Sequence, residues 1–364
     1  MFGIPVSRRA GILLSVVPVM ATLALSPAAT ASASTAGTHG APTVTPQVSG
    51  TTKRLQAVSA VNSRVVWASG LGGTYTVTTD GGAHWHPGVV PGAETLQFRD
   101  VQAVSARTAY LLSAGSGSDS RIYKTTNGGA TWTLQFQASN DPNNFYDCFA
   151  FWNPRRGLTM ADGNNGRFPA LRTTDGTTWH DIGNNLPAAQ PNEGAFAASG
   201  TCVATQGSRR AWIVTTNSRV FATADGGNTW AAYSTPIPGG TGTAGVFTVA
   251  FRDAAHGMIG GGDFLAPTPA EAARSSNGGK TWQLTSSPGF PGAAFGLAYA
   301  GESRTVVATG PGGAAWTANE GGTWTLVPGQ TGYWAVTFAN KHVGWLVGTQ
   351  GRILRITFAG SEDD

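Results

Sequence analysis

The sequence predicts an all-β fold, a seven-bladed β-propeller of four-stranded antiparallel sheets, and three observations lead there. The chain carries 51 glycines in 364 residues with only 12 % charged residues, and no long stretch holds a 3.6-residue apolar period, a composition of short strands joined by tight turns. An octet of nearly constant letters returns six times. An unpartnered alternating strand precedes the first octet, and three strands without an octet follow the last.

From the N-terminus, Arg8 and Arg9 precede the apolar run "AGILLSVVPVMATLAL", and "ATASAS" offers small residues at cleavage spacing after Ala31 or Ala33. Residues 1–31 therefore read as an export signal, too short and too interrupted by Pro18 for a retained anchor. No other segment is apolar enough to span a bilayer as a helix. The expected location is outside a bacterial cytoplasm, secreted or in the cell envelope. Residues 32–42, rich in Ser, Thr, Ala and Gly, read as a disordered tether, and residues 43–364 as one domain.

The octets are "TTDGGAHW", "TTNGGATW", "TTDGTTW", "TADGGNTW", "SSNGGKTW" and "TANEGGTW", the third being one residue short. Their third residues, Asp80, Asn127, Asp175, Asp225, Asn277 and Asn319, lie 47, 48, 50, 52 and 42 positions apart. Such a period means one supersecondary unit repeated around a ring. In each octet the Asp or Asn side chain can accept from turn N–H groups and the glycines supply positive φ. The tryptophans Trp85, Trp132, Trp179, Trp230, Trp282 and Trp324 are then structural, placing apolar surface between neighbouring sheets. The short third octet predicts a distorted turn. After Trp324, "YWAVTFA", "VGWLVGT" and "RILRITF" make three strands of a seventh blade, and "TVTPQVSG" before blade 1 is expected to close it as the outer strand.

The pattern Ser/Thr-x-Asp-x-Gly-x-x-Trp resembles the Asp-box, or BNR, repeat of sialidases and other propellers. With strands such as "VGWLVGTQGRILRIT", the chain over residues 50–360 is similar to the photosystem II assembly factor family and its secreted bacterial relatives. The resemblance implies the fold and leaves the ligand open. A sialidase would need an arginine triad and a tyrosine nucleophile. Arg54, Arg99, Arg167, Tyr146 and Glu193 supply the residue types, without the Arg-Ile-Pro motif or the expected order.

In an outward-running meander of strands A to D, the A–B and C–D turns share one face and the B–C and D–A loops the other. The octets are C–D turns, so the long loops "DGNNGRF", "GGGDFLAPTPAEAAR", "ASNDPNNFYD" and "NNLPAAQPNEGAF" collect on the opposite face, where function is expected. Aligning the starts of strand A gives a ring at the channel mouth of Arg54, Asp100, Asp147, Thr201, Phe247, Phe295 and Trp334. Arg99, Tyr146 and Tyr333 stand one position earlier. One polar and one aromatic wall suit a sugar or an amphipathic molecule; the alternative is a solvated channel closed by an aromatic plug. Among loop residues around the mouth, Arg274 included, Asp147, Glu193, Asp162 and Asp263 are the candidate acids for glycosidic hydrolysis, which needs two carboxyls across the scissile oxygen. Asx turns and bracing ion pairs are the competing roles.

Cys148 and Cys202 fall at corresponding positions of blades 3 and 4, and a disulfide is expected if their Cα atoms come within about 7 Å. No histidine is expected on the loop face. Neither a metal nor a cofactor is expected, since no phosphate-binding glycine fingerprint or haem motif is present. A net charge of +4 without basic clusters argues against nucleic acid. The reading is a non-catalytic monomer that binds a glycan or an extracellular protein, with a glycoside hydrolase or lyase as the alternative.

Overall fold

A computed structural model describes residues 40–360. The expected export signal and all but the end of the expected tether lie outside the described residues. Seven four-stranded antiparallel sheets form a closed ring. Blade 1 shows the common plan: strands Leu55–Ala60, Val66–Gly70, Thr74–Thr78 and His86–Val89 run outward in chain order. The innermost strands of the other blades are Phe98–Ala103, Tyr146–Asn153, Val203–Gln206, Ala244–Phe251, Gly296–Tyr299 and Tyr333–Phe338. Each innermost strand packs on the next around the ring, and the seventh packs on the first.

Closure follows the expected route. Thr43–Val48 pairs antiparallel with Arg352–Thr357, Thr43 opposite Thr357 and Val48 opposite Arg352, so the outer strand of blade 7 comes from the N-terminal side of blade 1. Gln47 on this strand locks the seam. Its Oε1 accepts the indole N–H groups of Trp85 in blade 1 (3.1 Å) and Trp345 in blade 7 (3.2 Å), and its Nε2 donates to the Gly81 carbonyl (3.0 Å).

The repeated hairpins close as their chemistry requires. In the first, Thr78 Oγ1 accepts the Gly82 N–H (2.9 Å) and Asp80 Oδ1 accepts the His84 N–H (3.0 Å). The third closes one residue early: Thr173 Oγ1 accepts from Gly176, and Asp175 Oδ1 accepts from Thr177 and Thr178. Each regular hairpin also bonds to the A–B turn of its own blade, as in Gly81 N–H to Arg64 O and Gly278 N–H to Ala255 O. Those two kinds of turn therefore share one face. Of the six hairpin tryptophans only Trp85 is buried, where full burial of a large apolar side chain is worth roughly 2–3 kcal/mol. The other five are half-buried and lean on a neighbouring sheet, as Trp132 does edge-on against Trp67 (6.2 Å).

Cys148 and Cys202 form a disulfide between blades 3 and 4, with Cα atoms 5.9 Å apart. His84 and His256 pair with Asp80 and Asp253 in their own turns, on the face of the hairpins.

Candidate functional site at the propeller axis

The axial position is set by a backbone irregularity. Where strand A begins, the register against strand B slips by one residue in blades 1, 2, 3, 5 and 7. The extra residues are Gln56, Arg99, Asp147, Phe247 and Trp334. In blade 6, Phe295 and Gly296 both oppose Thr309, the same two-to-one arrangement. A bulge of this kind re-aims a side chain, and here it aims several toward the axis. Phe247 stacks on Phe295 (4.9 Å), Phe295 meets Trp334 edge-on (5.1 Å), and the Arg54 guanidinium lies over Trp334 at 4.2 Å.

The expected ring is thus corrected in two blades. In blade 2 the bulged residue is Arg99. Asp100 instead turns into the boundary with blade 3 and accepts the Phe149 N–H (2.8 Å). In blade 1 the bulged residue is Gln56, and Arg54 reaches the axis from the preceding loop. Tyr146 and Tyr333 are both buried between blades, Tyr146 against Phe136 and Tyr333 among residues of blades 6 and 7. Neither lines the mouth. Arg274 stands on strand C beside the fifth hairpin, so it belongs to the opposite face.

The axis is also filled, which local patterning did not reveal. After Glu193 the chain Gly194–Gly200 enters the channel and is buried except at Phe196, which is half-buried. Phe196 stacks on Phe247 at 3.7 Å. The Ala195 N–H donates to Asp162 Oδ1 (3.0 Å), Arg99 donates to the Ala197 carbonyl (3.4 Å), and Ser199 Oγ donates to the Phe295 carbonyl (2.6 Å). Small residues make this fit possible. A Cβ on Gly194 would collide with Asp162, and Gly200, at φ 76°, lies against Asp100. The one signal in the sequence is the run "GAFAASG" itself, small and apolar where a solvent loop would be polar. Phe264, from the B–C loop of blade 5, caps the plug at 6.1–6.3 Å from Phe196, Phe247 and Phe295.

The four candidate acids occupy different environments. Glu193 is buried and held by Arg219, with Thr215 Oγ1 (2.6 Å) and the Gln190 N–H (2.9 Å) also donating to it. Asp263 accepts the Leu265 N–H (3.0 Å) in an Asx turn. Asp147 is fully buried, and neither carboxylate oxygen has a hydrogen-bond partner. Burial pushes its pKa well above the usual carboxylate range, the neighbouring charge of Asp162 adds to the rise, and Arg99 opposes it. Burial likewise raises Asp162 to about 6, opposed by the Ala195 N–H.

Asp162 gives the plug a pH signature. A carboxyl whose folded pKa exceeds its unfolded value binds more protons when folded, so stability is greatest below about pH 4 for this group and declines as pH rises to about 6. Asp162→Asn is expected to remove that decline and to stabilise the protein at pH 7 by about 1–3 kcal/mol. Urea unfolding of both proteins at pH 4, 5, 6 and 7 checks this, and parallel curves would refute it. Comparing the pair cancels acids that do not sense Asp162, such as Asp100, which burial raises in the same direction. Asp147 loses a neighbouring charge in the variant and so adds to the gain.

Arg54 and Arg99 stand at the mouth beside the aromatic wall. Arg99 donates to Gln97 Oε1 (2.7 Å), and burial followed by repulsion from Arg54 lowers its pKa. Neither arginine has a carboxylate ion pair among the described residues. Next to them stand the half-buried Trp334 and Phe145. The cluster continues through Phe295 and Phe247 to the half-buried Phe196 and the exposed Phe264, which the exposed Leu265 follows in the loop. No helix among the described residues is long and apolar enough to cross a membrane.

No protein-family model matches the chain, and no curated protein matches it. Solved structures do match in fold. YCF48 from Cyanidioschyzon merolae is 15 % identical with a TM-score of 0.63, over 86 % of this chain and 98 % of that one. YCF48 bound to a D1 peptide is 17 % identical with a TM-score of 0.59, over 89 % and 98 %. The GH74 xyloglucanase from Xanthomonas campestris is 13 % identical with a TM-score of 0.56, over 86 % of this chain and 53 % of that one. The likeness is one of fold: a seven-bladed propeller resembling that of the photosystem II assembly factor family.

Proposed function

We propose that this chain is an exported, non-catalytic binding propeller that holds an acidic, partly apolar segment of a partner protein across its loop face. One observation carries the reading. Arg54 and Arg99, without carboxylate partners, stand beside an aromatic surface at an axis sealed by the chain's own Gly194–Gly200. A sealed axis offers a broad shallow face rather than a deep pocket, which suits an extended peptide better than an enclosed small molecule. Two guanidinium groups supply charge-assisted donors for carboxylates, while Trp334, Phe264 and Leu265 supply apolar contact. The YCF48 structure that holds a D1 peptide supports a peptide as the ligand type. Glycan binding is the neighbouring possibility.

Hydrolysis or lysis of a glycan is the competing reading, and the xyloglucanase likeness favours it at the level of fold. It requires two carboxyls facing a substrate. Here Glu193 is committed to Arg219, Asp263 to its turn, and Asp147 lies beneath the surface.

A fluorescence screen with twelve-residue peptides and a parallel glycan array tests the proposal. Peptides combining Asp or Glu with Phe or Leu are expected to bind, lysine-substituted versions are not, and Arg54→Ala or Arg99→Ala should each weaken binding at least about ten-fold. Equal binding of acidic and basic peptides would refute it. So would release of sugar from an array glycan that is abolished by Asp147→Asn or Glu193→Gln, which would establish the enzyme.

A further inference from the structure

The face opposite the loops carries a feature that neither the fold nor the peptide reading uses. Five of the six hairpins place glycine directly after the Asp or Asn: Gly81, Gly128, Gly176, Gly226 and Gly278, all at φ between 70° and 80°. The sixth places Glu320 there, at φ 53°. That left-handed backbone favours glycine, and a side chain is strained in it. What the glutamate gains is a set of contacts across two blades. Its carboxylate, nearly buried, accepts from Arg252 Nε of blade 5 (2.7 Å) and Arg304 Nε of blade 6 (3.1 Å), with the Tyr299 hydroxyl at 3.3 Å.

These arginines line a cavity of about 500 Å3 between blades 5 and 6, completed by Arg274, His256, Ser276, Thr281, Trp282 and Gln283. Three guanidinium groups thus face one carboxylate. Asp253 pairs with Arg252 and His256 from beside the cavity. Glu320 engages the Nε atoms and Asp253 accepts from Arg252 Nη1 (2.8 Å), so Arg252 Nη2 and the terminal nitrogens of Arg304 are the donors left without an acceptor among the described residues. Arg274, exposed on its strand, has no ion pair among them. Trp282 supplies the apolar wall. Its indole N–H donates to Gly279 O (2.9 Å) within its own hairpin, which fixes the ring.

We propose that this cavity binds a sugar carrying a sulfate or phosphate monoester, the ester oxygens on Arg252, Arg274 and Arg304 and the sugar ring against Trp282. Guanidinium groups match tetrahedral oxyanions with paired donors, and a Trp face accommodates the apolar face of a pyranose. A clamp that only joined two blades would need Arg252, Arg304 and Glu320. Arg274 is superfluous to that role, and it is the residue that separates the two accounts.

Calorimetric titration of the full chain with N-acetylglucosamine 6-sulfate, glucose 6-phosphate, N-acetylglucosamine and inorganic sulfate tests the site. At least one ester is expected to bind at least about ten-fold more tightly than the unsubstituted sugar and than inorganic sulfate. The tighter of the two identifies the ester. Arg274→Ala should weaken that binding at least about ten-fold with an unchanged melting temperature, and Arg274→Lys should fall between, since lysine keeps the charge and loses the fork. The proposal is overturned if neither ester binds, if inorganic sulfate binds as tightly as both, or if Arg274→Ala binds like the parent.

Discussion

Replacing Gln47 with alanine is expected to destabilise the ring by roughly 2–5 kcal/mol. This amide oxygen is the shared acceptor of two indoles from different blades, Trp85 and Trp345, and both rings are buried. Truncation leaves two N–H donors away from water without an acceptor, at about 1–3 kcal/mol each, and also removes the donor to Gly81 O. Gln47→Met keeps most of the volume and loses the acceptor, so it should cost nearly as much. Urea midpoints for the two variants check the prediction, and a loss under about 1 kcal/mol for both would refute it. Deleting Thr43–Val48 should be more severe. It also strips the partner from Arg352–Thr357 and leaves a free sheet edge in a fold that otherwise covers it.

That closing strand was legible in the sequence because its absence would leave blade 7 one strand short. The blades were legible for a related reason: the hairpin chemistry at Asp80 or Asn277 is local, and eight letters suffice to state it. The axis was less legible. A bulge at the start of strand A changes which residue faces the channel without requiring any residue type. Aligning the starts of strand A therefore selects Asp100 where the backbone presents Arg99, and misses Gln56 at the blade 1 bulge, although Arg54 does reach the axis over Trp334. The Gly194–Gly200 plug depends on contacts with blades 2, 3, 5 and 6, which no local period records. Arg274 belongs to the opposite face because strand C of blade 5, Glu271–Ser275, begins earlier than the long Pro- and Ala-rich loop before it suggests.

The second large effect is expected at Arg219. Its side chain is mostly buried and lies over Phe221 at 4.7 Å, while Nε donates to Glu193 Oε1 (2.8 Å) and Nη2 to both Glu193 Oε2 and Ala188 O. Arg219→Ala leaves a buried carboxylate with only Thr215 and Gln190 as donors, a loss of about 3–5 kcal/mol. Adding Glu193→Gln removes the stranded charge, so the double variant should recover part of the loss. A double variant no more stable than Arg219→Ala alone would refute the ion-pair account. Glu193 immediately precedes the plug, and its carbonyl accepts the Gly163 N–H (2.9 Å) from the neighbouring loop. Weakening the pair should therefore speed amide exchange at Ala195 and Ala197 before the blades themselves open. If the loop face works as a sealed platform, acidic peptide affinity should fall in step with that exchange, because Phe196 carries part of the aromatic surface beside Arg54 and Arg99.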